Sequence, residues 1–347
     1  MAKISYGIIG CGNIGPIHGA AIAQVKSAKL VAVSDVVEAS AAALAGQYGA
    51  AVYTDYRKLL ERDDIQAVCL CVPSGLRMEI AVDCAKAGKH ILSEKPLDVT
   101  TKRIDLIIAA ADAAGVHLGC IFQSRFADDS AKIKKALDEG RFGNLVLGDA
   151  YIKWYRSKEY YASGAWRGTK KLDGGGALMN QGIHQIDLLQ WFMGKVDSVC
   201  AFTSSPGHED IEVEDTAVAV LRFNNGALGV IEASTAVNPG FFRKIEILGT
   251  KGSVVLEEEV IKTWEFAEEF NDDQMVRDRF SGSHTSGGGV SDPKSISDEG
   301  HIRQFLDITE AIDLRRKPAI DALEARKAVE IVLAIYESAA KKKIIYL

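Results

Sequence analysis

The chain has 347 residues, of which 47% are hydrophobic and 25% are charged, as is typical of soluble globular proteins. This length is long for one compact core and predicts two domains. A net charge of −6 without a basic stripe argues against a nucleic-acid partner, and the lack of an apolar run of about 18 residues argues against a membrane span.

The cysteines and histidines indicate a reducing compartment and no metal site. The six cysteines form no CxxC pair and lie mostly in apolar runs, which favours buried free thiols in the cytoplasm. The opening residues "MAKISYGIIGCG" predict a strand and lack the layout of a signal peptide. The seven histidines are scattered, without an HxxxH or paired Cys/His spacing, so we expect no metal ligands.

The first 122 residues alternate short apolar runs with helical segments. The predicted strands are "SYGIIG", "KLVAVSD", "IQAVCLCV", "KHILSE" and "VHLGCIF". Helical patterns such as "MEIAVDCAKAGK" and "TTKRIDLIIAAADAAG" separate them. Strands that alternate with helices of this length predict a parallel sheet with right-handed crossovers, and therefore an α/β domain over residues 1–122.

The pattern changes at residue 123. A helix, "DSAKIKKALDEGRFG", leads into the β-like runs "LVLGDAYIKWY", "VDSVCAFTSS", "TAVAVLRF", "ALGVIEASTA", "FFRKIEILGT" and "GSVVLEEE". Turns such as "NNG" and "GTKG" between them are typical of hairpins in an antiparallel sheet. Residues 281–300 predict a long polar loop, and two helices close the chain. We predict a second domain over residues 123–347, whose final helices can pack back on the first domain.

A glycine-rich loop opens the first alternating unit. Gly10, Gly12 and Gly15 have the G-x-G-x-x-G spacing between a predicted strand and a predicted helix. In that context glycines allow a tight turn and the approach of backbone N–H groups to a pyrophosphate. Asp35 ends the second strand, where a carboxylate bonds ribose hydroxyls and repels a 2′-phosphate, so the loop predicts NAD rather than NADP. The alternative is a glycine-rich turn without a cofactor.

The stretch "SEKPLD", residues 93–98, places Lys95 between Glu94 and Pro96. Proline fixes its own φ and pushes the preceding residue away from the helical region. The carboxyl ends of strands in an open α/β sheet face the ligand crevice, so Lys95 is a candidate for the nicotinamide end of a bound dinucleotide. The alternative is a solvated surface lysine.

A predicted helix within residues 173–191 carries a second candidate group. Asn180, His184, Asp187 and Trp191 recur at helical spacing and share one face. Three glycines precede them and permit a close backbone approach. His184 can take a proton near neutral pH; the alternative is a histidine bonded structurally to a neighbouring aspartate.

Aromatic residues and arginines crowd the stretch "WYRSKEYYASGAWRG". Aromatic faces with guanidinium groups suit a sugar ring or an acidic group. They are equally enriched in interface loops, which is the alternative interpretation.

The glycine loop, "CVPSGL", "SEKPLD" and "GGGALMNQGIHQIDLLQW" together resemble the Gfo/Idh/MocA oxidoreductases, over nearly the whole chain. The resemblance implies an α/β protein with an N-terminal Rossmann dinucleotide-binding domain and a C-terminal α/β domain with a large, open, mostly antiparallel sheet. It implies active-site roles for Lys95 and His184, and a cis Lys95–Pro96 bond. Within the family, the motifs look most like those of the UDP-N-acetyl-2-amino-2-deoxyglucuronate 3-dehydrogenases.

Two residues depart from the family pattern. Asn180 stands where relatives often have an aspartate, which weakens any aspartate–histidine relay to His184. Arg77 stands where many relatives have a histidine, and we expect it to bind substrate or cofactor or to point to solvent.

The resulting hypothesis is an NAD(H)-dependent dehydrogenase that transfers a hydride from or to a secondary hydroxyl carbon of a sugar or nucleotide-sugar, with the 3-position as one option. His184 takes or returns the hydroxyl proton, Lys95 stabilises the charge on the same oxygen, and Asn180 orients His184 or the substrate. The expected cofactor residues are Gly10, Gly12, Asn13, Ile14, Gly15, Asp35, Val72, Pro73, Ser74, Glu94, Lys95 and Gln123. The expected substrate residues are Arg125, Tyr155, Trp166, Arg167, Asn180 and His184.

Two alternatives remain open. Within the family, the enzyme is an inositol dehydrogenase or cleaves glycosides in a redox-neutral cycle with NAD kept bound. In a different class, it is a non-catalytic dinucleotide sensor that regulates a partner protein. In each case we expect a homo-oligomer, because an antiparallel sheet with an exposed face usually needs a cover, and the family resemblance implies a homodimer or homotetramer.

Overall fold

The computed structural model describes residues 3–279 and 299–347. These residues form two compact units. One comprises the described residues of Met1–Gln123 and Ser297–Arg326, and the other those of Ser124–Ile296 and Lys327–Leu347. Up to residue 298 the loop predicted for 281–300 lies outside the described residues, and its last two residues instead begin a helix.

Strands and helices alternate along the first unit, as the sequence predicts. They are β1 (Ile4–Ile9), α1 (Gly15–Gln24), β2 (Ala28–Ser34), α2 (Glu38–Tyr48), β3 (Ala51–Tyr53), α3 (Tyr56–Leu60), β4 (Ala67–Leu70), a 3₁₀ turn (Ser74–Leu76), α4 (Arg77–Lys86), β5 (His90–Ser93), α5 (Thr101–Ala114), β6 (Leu118–Cys120) and a second 3₁₀ turn (Gln123–Phe126). The strands are parallel and their order is β3-β2-β1-β4-β5-β6. This is the strand order of a Rossmann dinucleotide-binding fold, so the predicted fold class is confirmed.

The second unit contains an eight-stranded sheet. Its elements are α6 (Asp128–Asp138), β7 (Leu145–Lys153), α7 (Lys158–Ala162), a π-helix (Ala177–Gly182), α8 (Ile183–Met193), β8 (Val196–Ser204), β9 (Thr216–Phe223), β10 (Leu228–Ser234), β11 (Lys244–Gly249), β12 (Gly252–Glu257), β13 (Val260–Phe266) and α9 (Asp273–Asp278). Three elements complete the chain, namely α10 (Glu299–Leu314), α11 (Ala322–Lys341) and β14 (Ile345–Tyr346).

The order of this second sheet is β13-β12-β11-β7-β10-β9-β8-β14. Every neighbouring pair is antiparallel except β7 and β10, which are parallel. The mostly antiparallel sheet is therefore confirmed.

The two faces of the second sheet differ. Helix α8 packs on β7 and β11, and Gly148 lets it approach, since a Cβ at Gly148 would lie 2.6 Å from the Met193 side chain. On the opposite face, which we call the outer face, exposed apolar side chains alternate with buried ones along three neighbouring strands. The exposed ones are Phe202, Val218, Val220 and Leu228.

Helix α10 closes the core of the first unit by packing against α1. The Tyr6 hydroxyl lies 2.8 Å from the Thr309 hydroxyl, and the Tyr6 ring meets the edge of Phe305 at a centroid distance of 5.8 Å. Gln304 accepts the N–H of Phe122 and donates to the carbonyl of Cys120. Helix α10 thus contacts β1, which precedes the glycine loop, and the end of β6.

The six cysteines are all free, and five of them are buried. Burial raises the pKa of the Cys11 thiol to about 12 and raises the pKa values of Cys69 and Cys71 well above their ordinary value. Cys200 differs, because it is half-buried and lies opposite Val220 on the outer face.

Across the two described ranges, no helix combines the length and the apolar character that crossing a membrane requires.

Candidate active site

The glycine loop follows β1 directly and has the geometry that a dinucleotide requires. Gly10 has a φ of +96°, and a Cβ there would lie 2.6 Å from the carbonyl oxygen of Cys71, so only glycine fits. Gly12 and Asn13 are exposed, and a Cβ at Gly12 would meet nothing within 4 Å. The space over Gly12 is therefore open to a ligand that approaches the backbone.

Helix α1 begins beside this loop without a side-chain cap. Its first residue is Gly15, and Ile14 at the N-cap position supplies no hydrogen-bond acceptor to the first turn. Free N–H groups and the positive end of the helix dipole at such a terminus favour phosphate oxygens. The geometry of the loop and the helix end thus fits a pyrophosphate.

The Asp35 carboxylate is fixed by two backbone N–H groups, one of which belongs to the glycine loop. The N–H of Cys11 donates to Oδ2 at 2.6 Å, and the N–H of Val37 donates to Oδ1 at 2.8 Å. The carboxylate is half-buried, and the next two residues, Val36 and Val37, are exposed and uncharged. A fixed carboxylate followed by two uncharged residues fits a ribose diol and disfavours a 2′-phosphate.

Two further segments complete the expected cofactor residues. Val72 and Pro73 follow β4 and are half-buried, whereas Ser74 is buried at the start of a 3₁₀ turn. Gln123 is buried, and its side-chain oxygen has no hydrogen-bond partner among the described residues. A buried acceptor without a partner is costly unless a ligand or water supplies a donor, so Gln123 fits a ligand with an amide N–H. Together with the glycine loop, these residues fit NAD.

Lys95 is the one residue between Ile91 and Val99 that is not buried. The segment follows β5 at the carboxyl edge of the sheet, and the Lys95–Pro96 bond is cis, as the resemblance implies. The whole corner is therefore buried except for the lysine that the sequence analysis selects.

A buried hydrogen-bonded pair, His18 and Glu94, lies behind Lys95. His18 Nε2 donates to Glu94 Oε1 at 2.8 Å, and the N–H of Lys95 donates to Glu94 Oε2 at 3.1 Å. Burial alone would raise the pKa of Glu94, but the hydrogen bond from His18 and the charges of His18, His301 and Lys95 hold it well below its ordinary value. Glu94, expected among the cofactor residues, is thus 4% exposed and bonded within the protein.

Arg77 is buried and points neither to solvent nor to an open space. Its Nε donates to the carbonyl of Val72 at 3.1 Å. Its Nη1 donates to the carbonyl of Glu94 at 2.9 Å and also to the carbonyl of Pro96. Of the outcomes expected for Arg77, the solvent-facing one is wrong, because the guanidinium is engaged by backbone oxygens.

In the second unit, the glycines before the histidine helix contact the protein itself. A Cβ at Gly175 would lie 2.1 Å from the Tyr336 hydroxyl, and one at Gly176 would lie 1.8 Å from the Glu214 carbonyl. The Glu214 carboxylate accepts the N–H groups of Gly176 and Leu178 and the Tyr336 hydroxyl. Glu214 therefore caps the start of the π-helix, and burial raises its pKa.

The π-helix places Asn180 and leads into α8, which carries a buried His184. The Asn180 amide donates to Asp173 Oδ1 at 2.6 Å, and Asp173 Oδ2 accepts the N–H of Gly168 at 2.8 Å. Asp173 is 2% exposed. Asp173 was missed from the sequence, although it stands directly before the glycine run and seven residues before Asn180.

Arg125 lies in a buried ion pair with α8. Its Nε and Nη2 donate to the two carboxylate oxygens of Asp187 at 2.7 and 2.6 Å, and its guanidinium lies 5.2 Å from the Trp191 ring centroid. Such a bidentate pair holds both groups rigidly. Asp187 and Trp191, predicted to share a face with His184, are thus both in contact with Arg125.

The aromatic stretch meets the π-helix through Tyr160. The Tyr160 hydroxyl accepts from Gln181 Nε2 at 2.8 Å and from Arg167 Nη1 at 2.7 Å. Arg167 also stacks on Trp166, with its guanidinium carbon 4.5 Å from the ring centroid. Arg156 is buried and donates to Gln181 Oε1 at 3.0 Å. Tyr155, also expected to contact substrate, is half-buried and pairs with Ala236 in an isolated β-bridge.

A local excess of positive charge in this stretch was missed. Residues 153–171 contain six lysines and arginines and one glutamate, which gives a formal charge of +5 in a chain whose net charge is −6. A composition taken over the whole chain hides this contrast.

Two family profiles match the chain. One, described as "Oxidoreductase family, NAD-binding Rossmann fold", matches residues 4–122, and the other, "GFO/IDH/MocA C-terminal domain", matches residues 130–255. The chain is 33% identical over 257 residues to the myo-inositol 2-dehydrogenase of Thermotoga maritima, across 72% of this chain and 73% of that protein.

Two further proteins are similar over most of their length. The levoglucosan dehydrogenase of Pseudarthrobacter phenanthrenivorans is 30% identical over 289 residues, 74% of each chain. The WlbA dehydrogenase of Bordetella pertussis, solved in complex with NADH and UDP-GlcNAcA, is 33% identical and superposes with a TM-score of 0.90 over 100% of this chain and 98% of that chain.

Proposed function

Because the chain belongs to the Gfo/Idh/MocA family of NAD-binding oxidoreductases, we propose that it transfers a hydride between NAD and a secondary hydroxyl carbon of a sugar or nucleotide-sugar. The observation that carries this proposal is the Lys95 corner, in which Lys95 alone is half-buried within an otherwise buried segment at the carboxyl edge of the Rossmann sheet.

The residues that would hold NAD are the glycine loop, the start of α1, Asp35 and Gln123. Their open backbone, fixed carboxylate and buried amide acceptor match a pyrophosphate, a ribose diol and an amide N–H. When bound, NAD supplies the acceptor or donor of the hydride.

The chain's own side chains would handle the proton and the charge on the substrate oxygen. In the oxidation direction, a neutral ring nitrogen of His184 takes the hydroxyl proton while the carbon gives up its hydride. The Lys95 ammonium donates a hydrogen bond to the oxygen as its negative charge develops. In the reduction direction, the protonated His184 returns the proton. Asn180, anchored on Asp173, orients the polar groups around His184.

An acidic nucleotide-sugar is the substrate class that we favour. The formal charge of +5 over residues 153–171, with Arg167 and Trp166 stacked, supports an anionic ligand with a ring. The similarity to WlbA over the full chain, with UDP-GlcNAcA bound to WlbA, supports the same class. Arg125 would act indirectly, through Asp187 on the helix of His184. Inositol is the second candidate, favoured by the similarity to the Thermotoga maritima enzyme.

The experiment is a dehydrogenase screen that follows reduced nicotinamide with NAD and a panel of UDP-sugars, uronic acids, free sugars, levoglucosan and inositols. We expect oxidation of an acidic UDP-sugar and a loss of about 10²- to 10⁴-fold in turnover for both Lys95→Ala and His184→Ala, with NADH binding retained. Full activity in both variants would disprove the catalytic assignment. Tight NADH binding without oxidation of any compound would instead indicate a dinucleotide sensor, and product formation without net NADH would indicate a redox-neutral cycle.

We also propose that the protein is a homodimer or homotetramer assembled through the outer face. Exposed Phe202, Val218, Val220 and Leu228 on that face support this proposal, since such apolar area on a sheet usually marks an interface. A cytoplasmic location is proposed as well, and the six free cysteines are consistent with it.

A further inference from the structure

We infer that Arg77 is a positioning residue that fixes Lys95 by holding the backbone on both sides of it. This inference rests on the proposed function, in which Lys95 acts on the substrate oxygen. Arg77 Nη1 donates to the carbonyls of Glu94 and Pro96, the two residues that flank Lys95 in the chain. Its Nε donates to the carbonyl of Val72, in the loop after β4. One guanidinium therefore joins the loops that follow two neighbouring strands.

The chemistry of this contact requires arginine. A guanidinium presents several N–H donors in a fixed planar fork, whereas a lysine ammonium is a point charge on a flexible stem. The side chain is 5% exposed, so water does not compete for the three carbonyls. A lysine at position 77 would keep the charge and lose the fixed spacing between the donors.

The rest of the corner is held by other groups, which isolates the role of Arg77. The Glu94 side chain is held by His18. Asp98 accepts the N–H of Met78 at 2.9 Å and the Nε of Arg103 at 2.6 Å. These contacts fix the two ends of the segment, and Arg77 fixes the turn between them.

Arg103 provides a matched control for this inference. Like Arg77, it bonds the corner through a guanidinium, and it also binds Glu79 and the carbonyl of Gly75. Unlike Arg77, it holds Asp98, three residues beyond Lys95, and none of its hydrogen bonds described above goes to the residues flanking Lys95. An Arg103→Lys substitution therefore disturbs the same corner without releasing the turn at Lys95.

The test compares Arg77→Lys with Arg103→Lys in the full chain. We expect Arg77→Lys to lower kcat by about 10²-fold, because a catalytic group displaced by about 1 Å loses that much. The KM for the sugar and the dissociation constant for NADH, measured by fluorescence, should stay within a few fold of the unsubstituted values. Arg103→Lys should keep kcat within a few fold.

A second measurement does not depend on activity. Hydrogen–deuterium exchange of the peptide covering residues 91–99 should be about tenfold faster in Arg77→Lys than in the unsubstituted protein, and faster than in Arg103→Lys. Exchange in the first unit outside this peptide and the loop around Val72, whose carbonyl Arg77 also holds, should not change.

Several results would overturn the inference. Unchanged kcat and unchanged exchange in Arg77→Lys would show that the contact does not position Lys95. An equal loss of kcat in Arg103→Lys would show a general loosening of the corner, and a parallel loss of NADH binding would make Arg77 a cofactor residue. If the unsubstituted protein oxidised no sugar, the proposed function would fail, and the exchange measurement would still decide whether Arg77 holds the corner.

Discussion

Asn180→Asp is the substitution that restores the residue often found in relatives, and the structure predicts that it will harm this protein. The new carboxylate would replace an amide that donates to Asp173 Oδ1 at 2.6 Å. Two full charges at that distance repel by about 6 kcal/mol at an effective dielectric constant of about 20. The pair avoids this repulsion by binding one proton, which costs about 4 kcal/mol near pH 7 for a carboxyl of ordinary pKa. Because the pair adopts the less costly of these two states, we expect Asn180→Asp to lower the free energy of unfolding by about 4 kcal/mol near pH 7.

The sign of the pH dependence follows from the same pair. The shared proton raises the folded-state pKa of the pair above the ordinary carboxyl value, so the penalty is absent below about pH 4 and grows as the pH rises. Near pH 4.5 the loss should be only about 1 kcal/mol. For a unit of this size, the melting temperature of Asn180→Asp should fall by about 8 °C or more near pH 7 and by only a few degrees near pH 4.5.

Asn180→Ala is the control, because it removes the hydrogen bond without adding a charge. We expect Asn180→Ala to lower the free energy of unfolding by about 1 kcal/mol at both pH values. A melting temperature for Asn180→Asp that is unchanged near pH 7, or lowered equally at both pH values, would refute the contact between Asn180 and Asp173.

Three further predictions concern the cofactor, a histidine pair and the outer face. Asp35→Asn should lower the preference for NAD over NADP by about tenfold or more in kcat/KM, since it removes the charge that repels a 2′-phosphate; an unchanged ratio would show that Asp35 does not face that position. Burial, together with the nearby His117, lowers the pKa of His90 from 6.5 to about 4. The stability that neutral His90 contributes is therefore complete above about pH 6.5 and is lost as the pH falls towards 4. The asparagine of His90→Asn can still accept the N–H of His117. Between about pH 7 and pH 4.5 the melting temperature of this variant should therefore fall by less than that of the unsubstituted protein, and an equal fall would contradict this explanation. Phe202→Glu places a charge on the outer face and should reduce the mass measured by light scattering to that of a smaller assembly, whereas an unchanged mass would place the interface elsewhere.

The fold was largely predictable because its signals are local. The glycine loop, the strand before it and the helix after it occupy one short stretch, and the spacing of the glycines reports the turn directly. β3 was missed because it has three residues and none of them is buried, so no apolar run marks it. β13 was missed because it follows β12 after a two-residue turn at Glu258 and Glu259, both with positive φ, which the sequence does not signal with glycine or asparagine.

Single residues of the candidate site could be selected from the sequence, whereas contacts between residues distant in the chain could not. Lys95 and His184 were selected from their local motifs. The glycines before His184 predicted a close backbone approach but not its partner, since Gly176 approaches Glu214, 38 residues further along the chain. Arg77 was left open for the same reason, since its partners Glu94 and Pro96 are brought to it only by the parallel pairing of β4 and β5.

Cys200 makes the outer face open to chemical labelling. The other five thiols are buried, and for Cys11, Cys69 and Cys71 burial also keeps the thiolate form rare, so a maleimide dye should attach mainly at Cys200 in the folded protein. The dye would then lie opposite Val220, within the surface that we assign to the contact between copies of the chain. Labelling should accordingly be slow at concentrations where the copies associate, and fast on dilution or in Phe202→Glu. The labelling rate of Cys200 would therefore report assembly directly.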